Sequence, residues 1–228
     1  MLTSPLVRRR RRARSSGAPW RGALAQGLLA VLGLAAGLAS IAGALLFSDV
    51  TRGLPTVEGY EERFGSPGSP RLPANRFYDR TGEVLIFEEQ SPAAVDRRWI
   101  DIESEDPARL PAFAQATLAF QDPDYWSAPG YDWRGALLAL LGRPAAPKIA
   151  DQLVEHTLLP MQDAGLSPAV RRLRAAVLAA DLTRRYSRAQ ILEWYLNTAD
   201  YGNLAFGIDA AALTYLGKHA GDLSLSDS

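Results

Sequence analysis

Apolar and polar positions divide the chain into three stretches with different periods. From Gly22 to Phe47 no charged residue occurs over about 26 positions, most of them Ala, Leu and Gly. As a helix this run reaches about 39 Å at about 1.5 Å per residue, enough to cross a hydrocarbon core of about 30 Å with some tilt. Over 48–75 the period is lost. The section FGSPGSPRLPAN is dense in Pro, Gly and Ser, which predicts a flexible connector. Beyond it, RFYDRTGEVLIF (76–87) predicts two short strands about a turn.

The remainder has helical spacing. Asp106-Pro107 is an N-cap and N1 pair, predicting one helix over PARLPAFAQATLAFQ. Further helices are expected over 134–141 and 149–159. Ser167-Pro168 caps a long basic helix, 169–185. Ser187 with Gln190 three residues on forms a capping box. Ile191, Leu192, Tyr195 and Leu196 then share one face, and Asn197 and Gly202 mark the exit. The body is therefore expected to be mainly α, with one hairpin.

Charge sharpens the picture. Basic and acidic residues both total 25, yet residues 1–21 hold seven Arg and no acid, leaving 18 basic against all 25 acidic residues in the rest. A basic block also suits a nucleic-acid arm. Followed directly by a charge-free run, it reads better as the cytoplasmic flank of an uncleaved signal anchor, with the acidic body outside. Such a backbone must pair its polar groups internally, so a helix is expected in lipid. Gly33 and Gly37 make a G-x-x-x-G pair, which chance readily supplies in a span so rich in Gly and Ala. There is no cysteine, so no disulfide or thiolate metal site can form, and two histidines make a His-based metal cluster unexpected.

The wording of YSRAQILEWYLNTADYG (186–202) is more specific than its period. With RRLRAAVLAADLTRR (171–185) and FGIDAAALTYLGK (206–218) it resembles the family-51 glycosyltransferases. These are the peptidoglycan glycosyltransferase domains of class A penicillin-binding proteins and of monofunctional transglycosylases. The family pattern runs R-K-x-x-E, Y-S-K-x-x-I-L-E-x-Y-L-N, Y-G and G-I-x-A-A-x-x-Y-F-G-K. The likeness reaches upstream to about Arg76. It implies a mainly α, lysozyme-like, two-lobed domain over 76–228, after a basic tail (1–21), a transmembrane signal anchor (22–47) and a connector (48–75). The hairpin matches a juxtamembrane Y-D-x-x-G-x-x-I, a small lid or linker without chemistry. Residues 223–228 match the start of a further family helix, so the domain is expected to be C-terminally incomplete, with apolar faces left partly exposed.

The resemblance also implies a reaction. In the family segment E-D-x-x-F-x-x-H-x-G the Glu takes the proton from the 4-hydroxyl of an acceptor lipid II or glycan end. That oxygen attacks the donor's anomeric carbon with inversion, and undecaprenyl diphosphate leaves. Here the Glu position is Gln121, and an amide does not titrate in the working range. Asp122, Tyr125 and Gly130 keep the motif's shape, and the His position is Ala128. A second family Glu, in R-K-x-x-E, falls on Ala175. The motif G-G-S-T-I-T-Q-Q-L-x-K-N matches Ile149, Gln152 and Leu153, but its Ser-Thr are Pro147-Lys148, its first Gln is Asp151, its Lys is Glu155 and its Asn is His156. Glu155 sets a like charge where the family's Lys would neutralise a diphosphate. Asp151 and Glu155, four apart, are expected on a solvated acidic face. Arg171 and Arg172, with Arg174, are the candidates for phosphate contact, as guanidinium forks; a basic helix is equally often plain surface.

The function these residues suggest is a membrane-anchored member of the family in bacterial cell-wall assembly, with lipid II or a glycan strand as ancestral ligand. Catalysis is expected to be weak or lost, leaving a binding or scaffold module among other cell-wall synthesis proteins. The alternative is an active transglycosylase with a relocated base such as Asp122, Asp124 or Asp132. No resident cofactor or metal and no nucleic-acid partner is expected; the family allows a divalent metal beside the substrate diphosphate. The expected place is the cytoplasmic membrane, crossed once, with the N-terminus cytoplasmic.

Overall fold

The structure, a computed structural model, describes residues 19–64, 75–89, 97–143, 146–159 and 165–227. The arginine block over 8–14 lies outside them. Helix α1, Pro19–Thr51, contains a segment Leu24–Thr51 long and apolar enough to cross a membrane. It extends past the predicted span at both ends. The chain divides into two compact units, residues 1–49 and residues 50–228.

The second unit begins earlier than the connector allowed. Val57 and Tyr60 are fully buried, and Tyr60 lies in a short helix, α2, Tyr60–Phe64. Its hydroxyl shares a hydrogen bond of 2.9 Å with Thr157, and its ring centroid lies 4.8 Å from that of Trp194. The start of the supposed connector is thus core. One buried aromatic outweighs the neighbouring Gly and Pro, because it removes so much apolar surface from water. The Pro-rich section 65–74 lies outside the described residues.

The predicted hairpin is present. Strands β1 (Asn75–Tyr78) and β2 (Leu85–Glu89) run antiparallel from Asn75↔Glu89 to Tyr78↔Leu85, with a bulge between Phe77 and Tyr78. Asp79 closes the turn by accepting from the Thr81 hydroxyl at 2.7 Å and from the Thr81 and Val84 amides.

The helix expected from Asp106 onward is split. Asp106 caps a single 3-10 turn, Pro107–Arg109, by accepting from Ala108 N at 3.0 Å. Helix α3 then runs Ala112–Gln121. Pro111 is the cause: it has no N–H to give, and it drives Leu110 before it to an extended backbone, ψ 146°. Helices α4 (Trp133–Ala139), α5 (Ile149–Thr157), α6 (Pro168–Arg185), α7 (Arg188–Thr198) and α8 (Ile208–Leu216) follow. The caps at Ser167 and Ser187 are as the sequence predicts, the latter a full capping box with Gln190. The body is mainly helical, as expected.

Helix α6 packs against both α4 and α5, and α5 also packs against α7. Ala175, Ala176 and Ala179 line the buried side of α6, so neighbours approach its backbone closely. Leu153, Leu182, Ile191, Leu192 and Leu196 are essentially inaccessible to water. Burial of each such side chain contributes about 1.5–3 kcal/mol relative to exposure. Helix α4 is inverted by comparison. It buries Gly135 and Ala136 and turns Trp133, Leu137 and Leu138 outward.

An extended segment, 97–102, is strapped across α7 and α8 by their polar residues. Ile100 N donates to Asn197 Oδ1 at 3.0 Å and Asn197 Nδ2 returns a bond to Ile100 O at 2.8 Å. Glu193 accepts from Trp99 Nε1 and Ile102 N, and Asp209 accepts from Arg98 N at 2.7 Å. Gly207 makes the corner between α7 and α8. Its φ is +88°, and a Cβ there would lie 2.7 Å from Asn197 O.

Candidate functional site

A groove of about 330 Å³ opens between α3, α7, α8 and the segment after them. Its walls are largely apolar and aromatic, with Phe113, Phe120, Tyr195, Tyr201 and Tyr215 among them, and Gln121 stands in the wall at the last residue of α3. Gln121 Oε1 accepts from Gln152 Nε2 at 3.3 Å. That nitrogen also donates to Pro147 O at 3.1 Å, while Gln152 Oε1 accepts from the Tyr195 hydroxyl at 3.1 Å. Two of the positions nominated from sequence, Gln121 and Gln152, are thus brought into contact. The carboxylate of the groove wall is Asp227. The Ser224 amide and hydroxyl and the Lys218 ammonium hold its pKa down to about 2. It stays ionised at neutral pH and is a poor proton acceptor there.

Asp122, next to Gln121, turns the other way. It is completely buried and its Oδ1 accepts from Lys148 Nζ. Among the described residues its Oδ2 has no hydrogen-bond partner. Asp124 is exposed in the following turn, and Asp132 caps α4 by accepting from Gly135 N at 2.8 Å. Tyr125 and Gly130 belong to a loop wrapped round Arg188. The guanidinium donates to Tyr125 O and Ala128 O, and the Tyr125 hydroxyl donates back to Arg188 O at 2.7 Å. Gly130 has φ +88°, and a Cβ there would lie 2.8 Å from Arg188 Nη1.

The arginines of α6 are met by carboxylates of the same chain. Arg171 Nη2 lies 3.3 Å from Glu155, and Arg172 Nη2 lies 4.0 Å from Asp132. Arg174 is buried and donates to Arg52 O at 3.3 Å. The acidic face expected on α5 is therefore not a solvated one. Glu155 pairs with Arg171. Asp151 is 1% exposed, and one of its oxygens accepts from both Lys148 N at 3.1 Å and Asp132 N at 3.0 Å. Burial pushes its pKa up to about 6. Ala175 is fully buried in the core and faces no solvent. Among the described residues no cluster of three or more His, Cys, Asp or Glu could hold a metal ion.

A profile of the Transglycosylase family matches residues 86–228, well over half of the chain. The chain belongs to that family. It is similar to penicillin-binding protein 2D of Bacillus subtilis, 31% identical over 131 residues, covering 56% of this chain and 18% of that protein. It is similar to penicillin-binding protein 1A of Clostridium tetani, 34% identical over 124 residues, covering 50% of this chain and 15% of that protein. A third relative is the biosynthetic peptidoglycan transglycosylase of Nitrosospira multiformis, 28% identical over 159 residues, which cover 67% of this chain and 66% of that protein. The chain thus spans under a fifth of the length of these penicillin-binding proteins.

Within the transglycosylase fold, several motif residues are framework. Glu193, Asn197 and Asp209 hold the 97–102 strap, and Gly130 and Gly207 make close approaches only a glycine fits. Sequence reasoning missed Lys148 and Tyr195 as partners of the motif residues. Lys148 carried the signal of an ammonium directly before an apolar helix. Nothing local marks Tyr195 as the anchor of Gln152, because it sits 43 residues away.

Proposed function

We propose that this chain is a membrane-anchored transglycosylase-family module of bacterial cell-wall assembly. In this reading it retains lipid II or a nascent glycan strand as ligand and has lost efficient sugar transfer. Residues 1–21 lie on the cytoplasmic side, α1 crosses the membrane once, and the body lies outside with other cell-wall synthesis proteins around it. The observation that carries the reading is Gln121. An amide, held by Gln152, stands in the groove wall where the family places its general base. Asp122 offers no replacement in this state, being fully buried against Lys148. The buried Ala175 supplies no second carboxylate, and Glu155 and Asp132 take up charge of Arg171 and Arg172.

The test is lipid II polymerisation by the full chain in detergent, free of other polymerases, beside a lipid II retention assay. The expected result is retention without glycan chains. Long chains made by the wild type, and abolished by Asp122→Asn or Asp124→Asn, would overturn the loss of transfer and establish a relocated base.

A further inference from the structure

The amide network fixes which end of Gln121 meets a ligand. A proline carbonyl can only accept, so Pro147 O identifies the Gln152 atom facing it as the NH2 group. The same NH2 faces Gln121, so the atom it meets there must be Oε1. The Tyr195 hydroxyl then donates to Gln152 Oε1, which completes the set. Gln121 Oε1 is thereby engaged. Its Nε2, with two N–H donors, has no protein partner among the described residues and belongs to a side chain of the groove wall.

We infer that Gln121 is a hydrogen-bond donor for an uncharged saccharide seated in the groove, gripping an oxygen of the sugar. The proposal rests on the function proposed above and reverses the polarity a carboxylate would give this position, because a carboxylate accepts and does not donate. The walls suit a sugar ring. Tyr201 and Tyr215 offer aromatic faces in the wall, beside the Gln121 donor, the mixed surface that a ring with apolar C–H faces and polar edges requires. The Tyr215 hydroxyl is itself fixed on Tyr201 O at 2.9 Å. Charge selects against a diphosphate. Among the described residues no Lys or Arg lines this groove, and the ionised group in its wall is the Asp227 carboxylate, which already holds the Lys218 ammonium at 3.1 Å. An anion would meet a like charge whose nearby cation, Lys218, is already engaged by it, whereas a neutral sugar meets donors and rings.

The test uses the full chain in detergent, titrated calorimetrically with the uncharged tetramer of N-acetylglucosamine and, separately, with inorganic pyrophosphate. The tetramer should bind the wild type. Gln121→Leu and Gln121→Glu should each weaken it about tenfold, the first having no donor and the second offering only acceptors. Tyr215→Ala, at a half-exposed wall position, should weaken it without touching the amide network. Pyrophosphate should neither bind the groove nor displace the tetramer. Gln121→Glu binding as tightly as wild type, Gln121→Leu binding unchanged, displacement by pyrophosphate, or no binding by the wild type would each overturn the proposal. Thermal midpoints of the variants should match wild type; if a Gln121 variant melts early, Tyr215→Ala decides. Lipid II retention with no effect of the Gln121 variants would sink this inference alone, whereas polymerisation by the wild type would sink only the loss of transfer.

Discussion

Replacing Lys148 by Met tests what holds the end of α3 to the start of α5. Asp122 is wholly buried, its Oδ1 carries the bond from Lys148 Nζ, and its Oδ2 has no partner among the described residues. Lys148→Met preserves most of the side-chain volume and removes the ammonium at that oxygen. A buried charge stripped of its partner typically costs about 3–5 kcal/mol. The Lys148 side chain is 24% exposed, so water reaches one side of the pair and the lower end, about 3 kcal/mol, is expected. For a body of this size that lowers the thermal midpoint by about 6–12 °C. Removing both charges together, as Lys148→Met with Asp122→Leu, should return most of the loss, because a well-packed apolar pair often equals or exceeds a buried ion pair. The assay is near-ultraviolet circular dichroism of the full chain in detergent across a thermal ramp, for wild type, both single variants and the double variant. A Lys148→Met cost below about 1 kcal/mol would refute the reasoning, since surface pairs fall in that range. A double variant whose loss equals the sum of the singles would refute it equally, since the two groups would then be uncoupled.

Two further expectations follow from the same body. Asp151 has a folded pKa of about 6 against 3.8 for the free group. The folded state therefore holds this proton more tightly, and the group's contribution to stability falls as pH rises from about 4 to about 6, by up to about 3 kcal/mol. Asp151→Asn keeps an acceptor for Lys148 N and Asp132 N without the charge. It should match wild type at pH 4, exceed it at pH 7.5 in denaturant midpoint, and so flatten the pH profile; a variant less stable at pH 7.5 would contradict this. Gly207→Ala places a methyl 2.7 Å from Asn197 O on a backbone of φ +88°. It should cost about 3 kcal/mol, read as an earlier thermal midpoint and faster hydrogen exchange at Ile100 N, which depends on Asn197. An unchanged exchange rate would mean that the corner relaxes freely.

What could be read from the chain, and what could not, divides along the range of the forces involved. Caps are local: Ser187 and Gln190 satisfy each other across three residues, and Ser167 accepts from Val170 N, so helix starts are visible. The break before α3 was also local, and Pro111 gave its position, but the cap pair at Asp106-Pro107 drew the helix start five residues too early. Burial of Tyr60 is not legible, since its partners Thr157 and Trp194 lie 97 and 134 residues on. The site shows the same limit more sharply. The identity of Gln121 could be read directly, because an amide cannot titrate wherever it is placed. Its orientation could not, because it is set by Pro147 through Gln152, from another helix.

The acidic pair on α5 went wrong for a related reason. Spacing four apart places Asp151 and Glu155 near one another along the helix, yet says nothing about what packs beside each. Asp151 meets two backbone amides at the junction of α4 and α5, and Glu155 meets Arg171 on α6. One is therefore a buried brace with a raised pKa and the other a counter-charge. That distinction bears on function. Had Glu155 been solvated, Arg171 would have lacked its carboxylate partner. Since Glu155 lies against Arg171 and Asp132 near Arg172, an incoming anion must compete with carboxylates that are covalently part of the same fold, at the high effective concentration that implies. A neutral ligand in the α3–α7–α8 groove faces no such competitor. The electrostatics of the chain and the chemistry of Gln121 therefore both support the proposed reading, recognition of sugar over transfer of it.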